Sequence, residues 1–273
     1  MLKEMLLKVR EKTPLIHNIT NYVTVNDCAN ILLGCGASPI MADDIDEAAE
    51  ITSLCGGLTI NIGTLNQNTI PAMFVAGQKA NELSHPVVLD PVGAGASKLR
   101  TETAFRLLKE VKFTVIRGNI SEIKTIAMGR GTTKGVDADD ADAVTGATLN
   151  QTVALAKNLS LETGAIIVIT GAIDIVSDGK GAFCIFNGHP FMSKLTGTGC
   201  QLSCLIAAYL TANPESPLLA TVGAVCAMGL CGEKAYERMT DLDGNASYRN
   251  YILDAVYRLS GDELESGAKY ELR

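Results

Sequence analysis

The chain has 273 residues, of which 47% are hydrophobic and 19% charged, so it can bury a sizeable core. Its formal net charge of -7 and sequence pI near 5.1 argue against nucleic acid as a partner, because binding to the phosphate backbone requires a basic face. The sequence shows no uninterrupted apolar run of membrane-spanning length and no signal-peptide core at its start, so we expect a cytoplasmic protein that does not enter the membrane.

The predicted elements alternate along the chain, as short apolar runs rich in β-branched residues follow amphipathic segments. This pattern is typical of a parallel sheet with helices on both faces. The predicted helices, in chain order, are 1–12, 24–33, 43–54, 68–83, 101–110, 121–127 and 150–161. The predicted strands between them are 37–40, 57–63, 86–89, 113–116 and 165–170.

Beyond residue 170 the pattern changes. Two strand-like runs, 173–177 and 182–186, flank Asp178-Gly179-Lys180-Gly181, which is a hairpin signal and predicts antiparallel strands at one edge of the sheet. From Cys200 onward the chain is predicted to be largely helical. The Gly- and Asp-rich stretch 129–146 is predicted to be a loop or mobile cover within one domain that spans residues 1–273.

The eight cysteines are too dilute for a disulfide scaffold in a chain of this length. They form no C-x-x-C pair and have no zinc-ligand spacing with the three histidines. Because free cysteine is among the most buried residue types, we expect most of these thiols inside the fold of a protein from the reducing cytosol.

The strongest chemical signal is a glycine-rich turn, Thr196-Gly197-Thr198-Gly199-Cys200, which leads into an apolar helix. Its backbone N–H groups, together with the positive end of the helix dipole, can hold an oxyanion or a transferring phosphoryl group. The chain contains neither a G-x-x-x-x-G-K-[ST] loop nor a G-x-G-x-x-G fingerprint, which argues against a Walker-type nucleotidase and a dinucleotide-dependent dehydrogenase. Taken alone, such a turn is more often a plain connection between loop and helix.

Three further polar clusters follow predicted strands, at the carboxyl ends where doubly wound folds bind ligands. They are Asp90-Pro91-Val92-Gly93-Ala94-Gly95, Arg117-Gly118-Asn119-Ile120-Ser121-Glu122 and Thr170-Gly171. Asp90 and Glu122 offer hard oxygen ligands suited to magnesium or its waters, while Arg117 and the hydroxyl of Thr170 suit phosphate oxygens. Each side chain could instead cap a turn or a helix or make a surface ion pair, but their coincidence at adjacent strand ends favours phosphoryl transfer.

In this order, the motifs D-P-V-G-A-G, R-G-N-x-S-E, V-I-T-G and G-T-G-C resemble the motif series of the hydroxyethylthiazole kinases. Segments 16–23 and 36–42 resemble the substrate-side segments of that family, and the resemblance spans residues 14–205. It implies a ribokinase-like α/β fold, with a mostly parallel central sheet flanked by helices on both faces. It also implies a homotrimer with active sites between subunits, and the transfer of phosphate from ATP to 4-methyl-5-(2-hydroxyethyl)thiazole in thiamine biosynthesis and salvage.

The resemblance further implies roles for individual residues. The residues expected to contact the phosphates of ATP are Arg117 and Thr170. Those expected to organise Mg²⁺ and its waters are Asp90 and Glu122. Those expected on the substrate side are Asn21, Met41 and Gly197, and the catalytic group is expected to comprise Gly197, Gly199 and Cys200.

Cys200 takes a position where related sugar and pyrimidine kinases usually have an Asp that acts as catalytic base. The pKa of an unperturbed cysteine is about 8.5, and a helix N-terminus favours the thiolate, so Cys200 is a candidate to accept the proton of the substrate hydroxyl. The opposing expectation is that Cys200 only lines the site, because phosphoryl transfer through a loose transition state needs little base catalysis.

Other functions stay open on the sequence. A related kinase could phosphorylate hydroxymethylpyrimidine or another small alcohol, although Cys200 and the Asn21 and Met41 segments argue against it. A cysteine-dependent hydrolase with Cys200 as nucleophile would need a histidine base, and the candidates are His17, His85 and His189. A non-enzymatic binding module would leave the coincidence of polar strand ends and glycine turn unexplained.

Overall fold

A nine-stranded sheet organises the computed structural model, which describes residues 1–128 and 148–273; the loop predicted at 129–146 lies outside the described residues. The strands are β1 (Leu15–Ile19), β2 (Ser38–Met41), β3 (Gly57–Asn61), β4 (Val87–Asp90), β5 (Val115–Asn119), β6 (Ile166–Thr170), β7 (Asp174–Ser177), β8 (Ala182–Ile185) and β9 (Tyr270–Leu272). Their order is β2-β1-β3-β4-β5-β6-β7-β8-β9. The first six strands pair in parallel, and β6 to β9 pair antiparallel, so the predicted antiparallel edge is confirmed.

Helices cover both faces of this sheet. In chain order they are α1 (Leu2–Lys12), α2 (Val25–Cys35), α3 (Ile45–Leu54), α4 (Thr69–Glu82), α5 (Lys98–Glu110), α6 (Ile120–Met128), α7 (Leu149–Thr163), α8 (Thr198–Ala212), α9 (Pro217–Glu237), α10 (Asn245–Arg258) and α11 (Gly261–Gly267). A 3-10 helix, Pro190–Lys194, precedes the glycine-rich turn.

The hydrophobic core has two parts because alternate residues of each buried strand point to opposite faces. In β4, Val88 belongs to the part of the core formed with α1, α2, α8, α9 and α10, whereas Val87 and Leu89 belong to the part formed with α3 to α7. The near-continuous apolar strands of the sequence are therefore explained by burial on both sides, as the α/β prediction requires.

Helix α9 is long and apolar enough to cross a membrane by length and composition, but 78% of its apolar window is buried inside the fold. It packs against α8 and α10 within the core. Its small residues, among them Gly223, permit this close approach: a Cβ at Gly223 would lie 3.4 Å from a ring carbon of Tyr209.

Sequence patterning missed β1 because its interior carries His17 and Asn18, which break the apolar run. The structure satisfies both: His17 Nδ1 lies 2.9 Å from Thr52 Oγ1, its Nε2 lies 2.8 Å from the carbonyl of Ala42, and Asn18 donates to Ile16 O at 2.9 Å. The short β9 was also missed.

Most element boundaries differ from prediction by one to three residues, and three of these differences lie beside the polar strand ends and the glycine-rich turn. Strand β5 begins two residues later than predicted and extends through Arg117 to Asn119, because it pairs with β6 up to Thr170. Helix α5 begins at Lys98, where Ser97 accepts from the N–H of Arg100 as an N-cap. Helix α8 begins at Thr198, directly after Gly197.

Candidate active site

Polar residues at or near the carboxyl ends of four parallel strands lie close together. Asn21 follows β1, Asn61 ends β3, Asp90 ends β4 and Arg117 lies in β5. Asn61 and Asp90 are register partners, so their side chains leave the sheet side by side. Helix α8 packs across β1, β3 and β4 and brings Cys200 to the same place.

Asp90 lies at the centre of this group and is 0% exposed. Its Oδ1 accepts from Arg117 Nη2 at 2.5 Å, and its Oδ2 accepts from Asn61 Nδ2 at 2.8 Å and from Ser203 Oγ at 3.0 Å. A buried carboxylate needs such compensation, because an isolated charge in the interior is costly. Asp90 is therefore held in place by three different elements.

Arg117 lies beneath the first turn of α8. Its guanidinium is 5% exposed, and its Nε has no hydrogen-bond partner among the described residues. A Cβ at Gly199 would lie 3.0 Å from Cζ of Arg117 and closer still to Nη1, so only glycine lets the helix approach the guanidinium this closely. The positive charge and the helix N-terminus thus act on the same small volume.

Gly197 is the N-cap of α8 and has φ +86, a left-handed conformation that favours glycine. A Cβ there would lie 3.2 Å from Thr24 Cβ and closer still to Cγ2. The first intrahelical bond runs from Gln201 N to Gly197 O at 2.9 Å. The N–H groups of residues 198–200 precede that bond and face the helix end, which is the geometry of an anion hole.

Cys200 is the most exposed of the eight free cysteines, at 8%. Its Sγ accepts from Asn21 Nδ2 and Asn61 Nδ2, each at 3.3 Å. Burial, and then the charge of Asp90, raise the pKa of the thiol to about 11. The pKa shift is therefore opposite in direction to the one expected from the helix N-terminus, because desolvation and a neighbouring carboxylate disfavour the thiolate.

The same geometry argues against the cysteine-hydrolase hypothesis. The Sγ of Cys200 accepts from two side-chain amides, and a protonated thiol is a poor nucleophile. His17 is buried and bonded to Thr52 and Ala42, so it is committed to holding β1.

Glu122 lies in the first turn of α6 and ties two strand ends together. Its Oε1 accepts from Gly93 N and its Oε2 from Asn119 N, both at 2.8 Å. The side chain is 3% exposed, and burial raises its pKa to about 7. The carboxyl group thereby fixes the D-P-V-G-A-G turn against the end of β5.

The donor set bears on the magnesium prediction. Among residues 1–128 and 148–273, no cluster of three or more His, Cys, Asp or Glu side chains could enclose a metal ion. Asp90 already accepts three hydrogen bonds, whereas Glu122 accepts two and keeps free lone pairs on both oxygens. These residues fit a Mg²⁺ ion that keeps its waters and is held largely by phosphate oxygens, which is common for this ion.

The remaining predicted residues lie around this centre. Thr170 ends β6 as the register partner of Asn119, and its hydroxyl donates to Gly118 O at 3.3 Å. Met41 ends the edge strand β2, is half-buried and packs against the core. The structure brings Asn21, Asp90, Arg117, Cys200 and the two glycines into one connected group and leaves Met41 on its outer side.

Sequence analysis missed Asn61 and Ser203, which both hold Asp90. The signal for Asn61 was available, because it is a polar residue that ends a buried apolar run, as Asp90 does. Ser203 lies three residues after Cys200 and hence on the same helix face.

Comparisons with known proteins agree with this geometry. A family model described as "Hydroxyethylthiazole kinase family" matches residues 6–262. A hydroxyethylthiazole kinase of Clostridium acetobutylicum is 65% identical over 271 residues, which is 99% of each chain. The structure of hydroxyethylthiazole kinase from Pyrococcus horikoshii OT3 matches with a TM-score of 0.88 at 36% identity, covering 100% of this chain and 98% of that one.

A more distant structure shows the fold alone. The pyridoxal kinase from Staphylococcus aureus, in complex with AMP-PCP and pyridoxal, has a TM-score of 0.61 at 14% identity and covers 95% of this chain and 98% of that one. Together with the sheet order, these likenesses confirm the predicted ribokinase-like α/β class.

Proposed function

This chain belongs to the hydroxyethylthiazole kinase family, and from that premise we propose the reaction of its site: transfer of the γ-phosphoryl group of ATP to the hydroxyl of 4-methyl-5-(2-hydroxyethyl)thiazole. The chain is thus a thiamine-related kinase. The observation that carries the reaction is the contact of Gly199 with buried Arg117, because it places a fixed positive charge beneath a helix N-terminus. A hydroxymethylpyrimidine substrate is not favoured, since the relatives described above from Clostridium acetobutylicum and Pyrococcus horikoshii are named for the thiazole.

The transferring phosphoryl group would lie at the first turn of α8. Its three oxygens carry the charge of a loose transition state, and preorganised N–H groups with Arg117 stabilise charge of that kind. In the step, the substrate oxygen bonds to the γ-phosphorus, the bond from that phosphorus to the β-phosphate oxygen breaks, and ADP leaves. Thr170, at the neighbouring strand end, would contact the nucleotide phosphates.

The acceptor hydroxyl would approach from the side of Asn21, Met41 and Gly197. Cys200 lies between this side and Asp90. Because the pKa of Cys200 is raised to about 11, it is a thiol at neutral pH, so we propose that it positions the hydroxyl and that the anion hole supplies most of the rate. The hydroxyl proton would then pass to solvent or to product phosphate.

Magnesium would accompany ATP as the metal that neutralises phosphate charge when bound. Glu122, with Asp90 acting through water, is the set that would hold it. The support is the pair of acceptor sites that Glu122 retains at the strand end next to Arg117.

We extend the proposal to assembly and compartment: one domain of residues 1–273, a homotrimer, in the cytoplasm. The exposed apolar side chains beside Asn21 support association, since Tyr22 is 79% exposed and Val23 57%. All eight cysteines are free, which suits a reducing compartment.

The test is an assay of ADP release with magnesium and ATP, in which hydroxyethylthiazole and hydroxymethylpyrimidine are offered separately. ADP release that depends on the thiazole, with the phosphorylated thiazole found by mass spectrometry, supports the proposal. The proposal is contradicted if ADP is released only with the pyrimidine. It is also contradicted if a folded protein that binds ATP releases no ADP with either alcohol. Arg117→Ala serves as the control for contaminating kinases.

A further inference from the structure

The side chain of Asn61 joins the substrate side of the site to its phosphate side. Its Oδ1 accepts from Asn21 Nδ2 at 3.0 Å and from Gly63 N at 2.9 Å. Its Nδ2 donates to Asp90 Oδ2 at 2.8 Å and to Cys200 Sγ at 3.3 Å. A primary amide has two donor hydrogens and one acceptor oxygen with two lone pairs, so all its hydrogen-bonding capacity is used.

This pattern allows a single orientation of the amide. If the amide were flipped, its NH₂ group would face the N–H of Gly63 and the NH₂ of Asn21, and its oxygen would face the carboxylate of Asp90. Both contacts would be repulsive, and the side chain is only 1% exposed, so no solvent relieves them. The network therefore fixes the direction of each bond that Asn61 makes.

Backbone geometry makes the placement rigid as well. Asn61 ends β3, which lies between β1 and β4 in the sheet, and it pairs with Asp90 in register. Cys200 comes from α8, which packs on β3. A residue at this one position can therefore contact the strand-end groups on both sides and the helix above.

We propose that Asn61 is a positioning residue of the phosphoryl transfer, which sets Cys200 and Asp90 in fixed relation to each other and to Asn21. The inference rests on the proposed function for its effect on turnover. Asn61 itself need not touch either substrate: it acts by holding the thiol against the acceptor hydroxyl and by aligning the carboxylate that clamps Arg117. Small displacements of such groups are costly, since misplacement by about 1 Å can lower a rate about 100-fold.

Two substitutions separate the role of the acceptor oxygen of the amide from that of its donor NH₂ group. Asn61→Asp keeps an acceptor for Asn21 and Gly63 but loses both donors, to Asp90 and Cys200. We expect kcat to fall about 100-fold while KM for the thiazole changes less than about threefold, because the substrate side is still held. Asn61→Leu releases both sides, so kcat falls similarly and KM for the thiazole also rises.

Asn187 provides a matched control outside the site. It is 5% exposed, donates to the carboxylate of Glu233 at 3.2 Å and to Gly267 O at 2.9 Å, and accepts from the backbone N–H of Lys269 at 2.7 Å. Asn187→Asp should therefore lower the unfolding temperature as Asn61→Asp does. It should leave kcat within about threefold of the wild type, since none of the groups that Asn187 binds belongs to the cluster around Asp90 and Cys200.

A second readout does not depend on turnover. Hydrogen–deuterium exchange of segment 196–203 reports whether the first turn of α8 stays packed against the sheet. Asn61→Leu should speed exchange in this segment about tenfold relative to Asn187→Leu. Exchange unchanged in that segment, or a kcat for Asn61→Asp above half the wild-type value, overturns the inference. If wild-type protein releases no ADP with the thiazole, the proposed reaction fails, and the exchange experiment still decides the role of Asn61.

Discussion

Replacing Gly199 by alanine tests the contact on which the proposed reaction depends. The added Cβ would lie 3.0 Å from Cζ of Arg117 and closer still to Nη1, a separation that real Cβ atoms essentially never show. The guanidinium cannot retreat easily, because it is 5% exposed and bonded to Asp90 at 2.5 Å. Either the first turn of α8 or the ion pair must therefore move.

The magnitude follows from two opposed contributions. Overpacking of a well-packed interior costs about 1–3 kcal/mol. Alanine in a helix gains up to about 1 kcal/mol over glycine, and the backbone of Gly199 is not left-handed. We expect a net destabilisation of up to about 2 kcal/mol, which lowers the unfolding temperature by up to roughly 8 °C in a protein of this size. Displacement of the anion hole should lower kcat about 100-fold.

The assays are thermal unfolding and thiazole-dependent ADP release, with Gly34→Ala as the control. Gly34 lies in α2, and a Cβ there would meet its nearest neighbour at 3.6 Å, so alanine should be neutral or stabilising and leave turnover unchanged. In an Arg117→Ala background the clash disappears, and Gly199→Ala should no longer destabilise; the difference between the backgrounds is the coupling energy. A Gly199→Ala protein that is more stable than the wild type and fully active would refute the reasoning.

Further predictions concern the buried ionisable groups. Arg117→Met leaves Asp90 as an unpaired buried charge and should cost about 3–5 kcal/mol in chemical denaturation, and adding Asp90→Asn should recover much of that loss; equal stability of the single and double variants would contradict it. Cys200→Ser should lower kcat by less than the roughly 100-fold that removal of a general base typically costs, because a thiol whose pKa is raised to about 11 is protonated at neutral pH; a larger loss in a folded protein would restore the base hypothesis. Because burial raises the pKa of Glu122 from 4.5 to about 7, the stability linked to its protonation is fully present below about pH 4.5 and is lost as pH rises through 7. Glu122→Gln should remove this dependence. The measurement is the unfolding temperature of the wild type and of Glu122→Gln across that pH range, without nucleotide. If the two unfolding temperatures change in parallel with pH, the reasoning is wrong.

The sequence allowed prediction of the layered α/β fold because its strands are buried on both faces and read as apolar runs between amphipathic helices. It failed at β1, where His17 is satisfied by Thr52 and Ala42 and Asn18 accepts from Cys204 Sγ, partners distant in sequence that only the folded chain supplies. The end of β5 and the start of α5 were each wrong by three residues, the former because Arg117 to Asn119 pair with β6 although they do not continue the apolar run.

For the site, residue type and position at a strand end predicted that Asp90, Arg117 and Glu122 would lie near one another, as they do. They could not give the protonation state of Cys200, because the helix dipole can be inferred from sequence but the desolvation and the proximity of Asp90 cannot. Asn61 was missed although it ends a buried apolar run as Asp90 does, and only its four hydrogen-bonding partners in the folded chain show that it joins the two sides of the site.

The hydrogen bonds that define the site join residues far apart along the chain: 179 positions separate Asn21 from Cys200, and 139 separate Asn61 from Cys200. Closing such long loops is a late and slow event in folding. On the ribosome, the strand ends would emerge well before α8. The central strands could therefore assemble before Cys200 and the glycine-rich turn have been synthesised. Catalytic competence would then arise in one step, when α8 docks, and recovery of activity during refolding would report completion of the fold more faithfully than recovery of secondary structure.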